Sequence, residues 1–156
     1  MIETSRISEL NPAPVRDRQY VLYWMQASQR TRYNHALEYA LRLADKRSKP
    51  LVVFFGVAAD FPEANLRHFR FMLEGLKEVR DQLADRSIAF VPRIAPPHKE
   101  VVRLAENADL VVTDRGYLQI QKAWRHQAAA SLDCRMVQVE SDVIVPVQEA
   151  YPKEAY

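Results

Sequence analysis

The chain has 156 residues, 48% hydrophobic and 27% charged, which is ordinary usage for one globular domain and argues against a disordered, fibrous or membrane class. Its 22 basic and 20 acidic residues leave a formal charge of +2, too weak a field to make a nucleic-acid-binding module by itself. The single cysteine, Cys134, excludes an internal disulfide and any thiolate-rich metal cluster, and fits a packed thiol in a reducing compartment.

No apolar run is long enough to span a bilayer, and Met1 to Arg6 lacks the apolar core of a signal peptide, so a cytoplasmic location is expected. Residues 1–18 carry Asn11-Pro12-Ala13-Pro14 and no sustained periodicity, and read as an irregular arm. From Tyr20 onward strands and helices alternate. The pattern predicts strands over Tyr20 to Trp24, Leu51 to Val57, Ile88 to Val91, Leu110 to Thr113 and Met136 to Val139. Between them it predicts helices over Asn34 to Arg47 and Asn65 to Asp85, a short one after Pro96-Pro97 to about Asn107, and one over Leu118 to Ser131.

Ala36, Leu37, Ala40, Leu41 and Ala44 recur at helical spacing, as do Leu66, Phe69, Leu73, Leu76 and Leu83, so each helix carries one apolar stripe. Glu38 and Arg42, four apart, are placed to pair on the wet face. Leu51-Val52-Val53-Phe54-Phe55 and Leu110-Val111-Val112 do not alternate, as expected of strands covered by helices on both faces. The expectation is therefore a doubly wound, Rossmann-like α/β domain over residues 19–147, with five parallel strands and right-handed crossovers.

Several chemistries are disfavoured. Gly56, Gly75 and Gly116 are too far apart for a dinucleotide fingerprint or a Walker loop, which argues against nucleotide binding of the dehydrogenase or universal stress type. His35, His68, His98 and His126 are scattered and lack the spacing of a zinc site, and Ser28 has no nucleophile elbow. The polar stretch Trp24-Met25-Gln26-Ala27-Ser28-Gln29-Arg30 is different, because it follows an apolar strand directly, where parallel sheets bind ligands. Trp24, Tyr33, Tyr39, Phe54, Phe55 and Tyr117 lie near strand ends and offer rings to wall a planar ligand, although core packing explains each one singly. Gln26, Arg30, Asp114 and Arg115 fit a core poorly, because buried charge is costly without a partner. Two readings of them stay open: ligand contacts, or an ion pair of Arg30 or Arg115 with Asp114 that ties two loops together.

Trp24 to Arg30, together with Phe61-Pro62-Glu63-Ala64-Asn65-Leu66-Arg67-His68-Phe69-Arg70-Phe71-Met72-Leu73-Glu74-Gly75-Leu76 and Val112-Thr113-Asp114-Arg115-Gly116-Tyr117-Leu118, resembles class II cyclobutane pyrimidine dimer photolyases. The resemblance runs from about Arg6 to the end and is to the amino-terminal α/β domain. It implies strand order 3-2-1-4-5, with the ligand crevice between the first and fourth strands. It also implies an antenna chromophore there, an 8-hydroxy-5-deazaflavin or a folate, with the deazaflavin expected in class II. The candidate binding residues are Trp24, Met25, Gln26, Arg30, Phe55, Asp114, Arg115 and Tyr117, and no residue of this chain is expected to be catalytic. FAD, the lesion pocket and most contacts to damaged DNA are implied for a helical carboxy-terminal domain, for which residues 148–156 would begin the linker. The rival readings are a stand-alone module for a nucleotide or flavin-like ligand, and a ligand-free interaction domain that dimerises through an exposed docking face.

Overall fold

The computed structural model describes residues 2–59, 61–62 and 64–150. After a 3-10 turn at Thr4–Arg6, the elements are β1 (Ile7–Glu9), β2 (Tyr20–Met25), α1 (His35–Arg47), β3 (Leu51–Val57), α2 (Leu66–Asp85), β4 (Ala89–Ile94), α3 (Pro97–Ala105), β5 (Ala108–Asp114), α4 (Gln119–Ser131), β6 (Arg135–Val139) and α5 (Val147–Ala150). They form a mixed six-stranded sheet in the order β1-β6-β5-β2-β3-β4. The pairs among β2 to β6 are parallel, and β1 joins β6 antiparallel, Ile7 opposite Val139.

This corrects the expected five-stranded, all-parallel sheet in strand count and overall order. The lead-in is not wholly irregular: Ile7-Ser8-Glu9 caps the exposed edge of β6, and three residues are too few to display a period. The third predicted strand also runs on through Pro92 to Ile94. Proline lacks the N–H that a central strand needs, but β4 pairs only with β3 and is an edge, where proline is tolerated.

Helix starts follow local chemistry. Asn34 caps α1 by accepting from the Leu37 N–H. Asn65 caps α2 by accepting from Arg67 and His68, while the Asn65 N–H donates back to His68 Nδ1. Glu38 pairs with Arg86 at 3.0 Å rather than with Arg42.

Side chains alternate along each strand between two cores. Val21, Tyr23, Met25, Val53 and Phe55 pack with α1 and α2, and Leu22, Trp24, Phe54 and Val111 pack with α3 and α4. Cys134 is a free, buried thiol in the second core. The expected stripe of α2 is only partly buried: Leu76 and Leu83 are in the core, but Leu66 is 85% exposed and Leu73 50% exposed. Helices α1 and α2 cover one face and α3 and α4 the other, so the chain reverses direction between β2 and β5. The crevice outside the carboxyl ends of these two strands is the binding position general to such sheets.

Candidate functional site

A cavity of about 950 Å³ opens at that position, at the upper end of the range of about 300–1,000 Å³ usual for small-molecule sites. Gln26, Ala27 and Gln29 enter it from the loop after β2, and Phe55 and Ala58 from the end of β3. Helix α2 contributes His68, Phe69, Phe71 and Met72, and Tyr117, Leu118, Gln121 and Trp124 close the side beyond β5. Phe61 meets Trp124 edge to face, with ring centroids 6.1 Å apart, and His98 stacks with Trp124 at 6.5 Å. The walls are therefore largely apolar, with six aromatic side chains and a few polar groups, a surface suited to a planar ring system.

Of the residues picked from the sequence, Gln26, Phe55 and Tyr117 line this cavity. Trp24 and Met25 end β2 on opposite faces of the sheet and are fully buried in the two cores. Asp114 is also fully buried and does not line the cavity. Its carboxylate accepts from the backbone N–H groups of Gln26, Ala27 and Ser28 at 2.6–2.9 Å and from the Tyr23 hydroxyl at 3.2 Å. Burial raises the Asp114 pKa, and the three backbone donors act against that shift.

The two arginines also hold structure together. Arg30 pairs with Asp142 at 2.7 Å and donates to the Ser141 carbonyl, fastening the loop after β2 to the segment after β6. Arg115 lies 3.8 Å from the Glu140 carboxylate and 5.7 Å above the Tyr117 ring. The expected loop tie through Asp114 exists, but it runs through backbone amides, not through an arginine. Tyr117 donates its hydroxyl to Glu140; burial, then this bond, raises the phenol pKa well above its ordinary value and keeps the group a donor.

Sequence reasoning missed Phe61, Met72, Gln121, Trp124 and Arg125. The usable signal lay in the helices after β3 and β5, whose opening turns face the carboxyl end of the sheet. His68, Phe69 and Met72 on α2, and Gln121 and Trp124 on α4, recur at the three- and four-residue spacing of one helical face. Arg125 is 6% exposed, and its guanidinium donates to Gln26 Oε1 at 3.1 Å and to the Gly116 carbonyl at 2.7 Å. Burial lowers its pKa, with Asp114 acting in the opposite sense.

The family model for DNA photolyase matches residues 21–156. The deoxyribodipyrimidine photo-lyase of Methanothermobacter thermautotrophicus is 50% identical over 157 residues, covering 100% of this chain and 35% of that protein. Its counterpart from Potorous tridactylus is 34% identical over 142 residues, 88% of this chain and 27% of that protein. The chain thus spans about a quarter to a third of the length of these relatives. Among solved structures, a universal stress protein from Archaeoglobus fulgidus in complex with dAMP superposes with a TM-score of 0.54 at 11% identity, covering 79% of this chain and 99% of that one, a likeness of fold alone. With half the residues shared with one photolyase and the family model extending from β2 to the end, this chain belongs to the DNA photolyase family and corresponds to its amino-terminal α/β domain.

Proposed function

We propose that this chain is the antenna-binding domain of a class II photolyase and holds 8-hydroxy-5-deazaflavin in the cavity between the ends of β2, β3 and β5. The observation that carries the reading is the aromatic enclosure at the sheet's switch point: Phe55, Phe61, Tyr117 and Trp124 surround a space sized for a tricyclic ring. These four rings and Met72 would hold the chromophore by apolar contact, with Gln26 meeting its edge. When bound, the chromophore supplies light absorption and passes excitation energy to an FAD held elsewhere in the longer protein. The side chains here exclude water and fix the ring, and none of them takes part in repair. Damaged DNA and the helical FAD domain are partners of that longer protein in this reading.

We read residues 19–147 as the folded body and 148–156 as the start of a linker, of which 151–156 lie outside the described residues. The isolated chain should then bind the deazaflavin but neither FAD nor dAMP. Fluorescence titration with all three tests this. Saturable, stoichiometric deazaflavin binding is the expected result, and preferential dAMP binding would favour a nucleotide module instead.

A further inference from the structure

Gln26, only 7% exposed, lines the cavity, and among the described cavity-lining residues its side-chain Nε2 alone is a buried polar side-chain atom without a hydrogen-bond partner. The other half of the same amide is committed, because Gln26 Oε1 accepts from Arg125 Nη1 at 3.1 Å. Arg125 is held in turn, since its Nη2 donates to the Gly116 carbonyl at 2.7 Å, and it is too buried to swing into water. Turning the amide over would set its NH₂ against a guanidinium that has only donors to offer. The orientation is therefore determined by chemistry, with the oxygen toward Arg125 and the NH₂ free. A buried donor left unbonded is costly, and such atoms in native proteins call for an explanation.

Resting on the antenna reading of the cavity, we infer that Gln26 is a fixed hydrogen-bond donor that selects a ring bearing a carbonyl acceptor on its inserted edge, and that Arg125 is the residue that positions it. The cationic guanidinium behind the amide polarises it and strengthens the N–H it offers. A ring that brings a donor to this edge, or a purely hydrocarbon one, leaves Nε2 unsatisfied and binds less well. Discrimination by a hydrogen-bonding site of this kind exceeds what apolar walls achieve by shape alone.

Two arms of one experiment separate this inference from the reading beneath it. The first needs no ligand: nitrogen-15 NMR of the Arg125 guanidinium in the 156-residue chain. Resolved, slowly averaging Nη protons in the wild type that become averaged in Gln26→Leu are expected; a freely averaging guanidinium in the wild type would overturn the lock. The second arm titrates 8-hydroxy-5-deazaflavin into the wild type, Gln26→Glu and Arg125→Lys. Gln26→Glu keeps the shape and gives Arg125 a carboxylate, but turns an acceptor toward the ring. It should fold with a melting temperature near that of the wild type, yet lose about tenfold or more in affinity and shift the bound chromophore's absorption band. Arg125→Lys should weaken binding less than Gln26→Glu. Equal affinity and an unchanged band in Gln26→Glu would overturn the donor role while leaving the antenna reading standing. Failure of the wild type to bind, with the guanidinium locked, would instead remove the antenna reading and with it the chromophore that Gln26 is said to select.

Discussion

Asp114 at the end of β5 accepts the backbone N–H of Gln26, the residue just after β2, at 2.7 Å, so the ends of the two strands that flank the crevice are joined by a carboxylate that does not line the cavity. With Ala27 and Ser28 bonded to the same group, the loop that carries Gln26 is shaped by one side chain.

Asp114→Ala should therefore act first on stability. It strips three backbone N–H groups of their acceptor, those of Gln26 and Ser28 buried and that of Ala27 partly buried, a loss of about 3 kcal/mol by the cost of unsatisfied buried donors. Urea denaturation measures it. A variant with unchanged stability and only weakened ligand binding would show that Asp114 serves the ligand and not the loop.

Val53 and Val52 sit side by side in β3, yet Val53 is fully buried in the core beneath α1 and α2 while Val52 is only half-buried against the other. Val53→Asp should cost several kcal/mol, comparable to the whole stability of a small domain, and give insoluble protein. Val52→Asp should be the milder of the two. Solubility and thermal melting of the pair check the order.

Gly56 is a position of close approach. A Cβ there would lie 2.7 Å from Pro97 Cβ and 2.9 Å from Pro97 Cα, so β3 and the start of α3 would have to separate. Gly56→Ala is expected to destabilise by about 1–3 kcal/mol, the usual cost of overpacking. Chemical denaturation that shows no change would mean that this contact yields easily.

The fold was legible where the sequence carries period and run. Ala36, Leu37, Ala40 and Ala44 announce the buried face of α1, and the unbroken apolar runs announce β3 and β5. Strand β1 was not, because its order comes from hydrogen bonds with the edge of β6 rather than from its own residues. Within the site, Gln26, Phe55 and Tyr117 stood out by position at strand ends, and these line the cavity. Asp114 and Arg30 stood out for the same reason but hold loops, since a charge that must be satisfied looks alike in sequence whether its partner is a backbone amide or a ligand. The partnership of Arg125 with Gln26 spans 99 residues and depends on how α4 packs, which no local pattern reports.

Burial lowers the pKa of both His35 and His98 below the ordinary 6.5. The unfolded chain then takes up protons at a higher pH than the folded one, so stability should fall as pH drops through about 6.5 and level off below the lowered folded values. His98→Gln should flatten part of this slope. Urea midpoints between pH 5 and 7.5 provide the check, and a profile flat for the wild type over that range would contradict the assignment.

The central claim, that a planar chromophore occupies the cavity, is tested most directly at Gly75. This residue of α2 lines the cavity, and a Cβ built on it meets nothing within 4 Å, so bulk added there projects into free space. Gly75→Ala should stabilise the helix by about 0.5–1 kcal/mol. Gly75→Trp should fold and place its indole where the chromophore would lie. Deazaflavin titration of Gly75→Trp, with a melting curve to confirm the fold, is the decisive measurement: binding by the wild type and none by the folded variant is expected, and equal binding by both would contradict the claim.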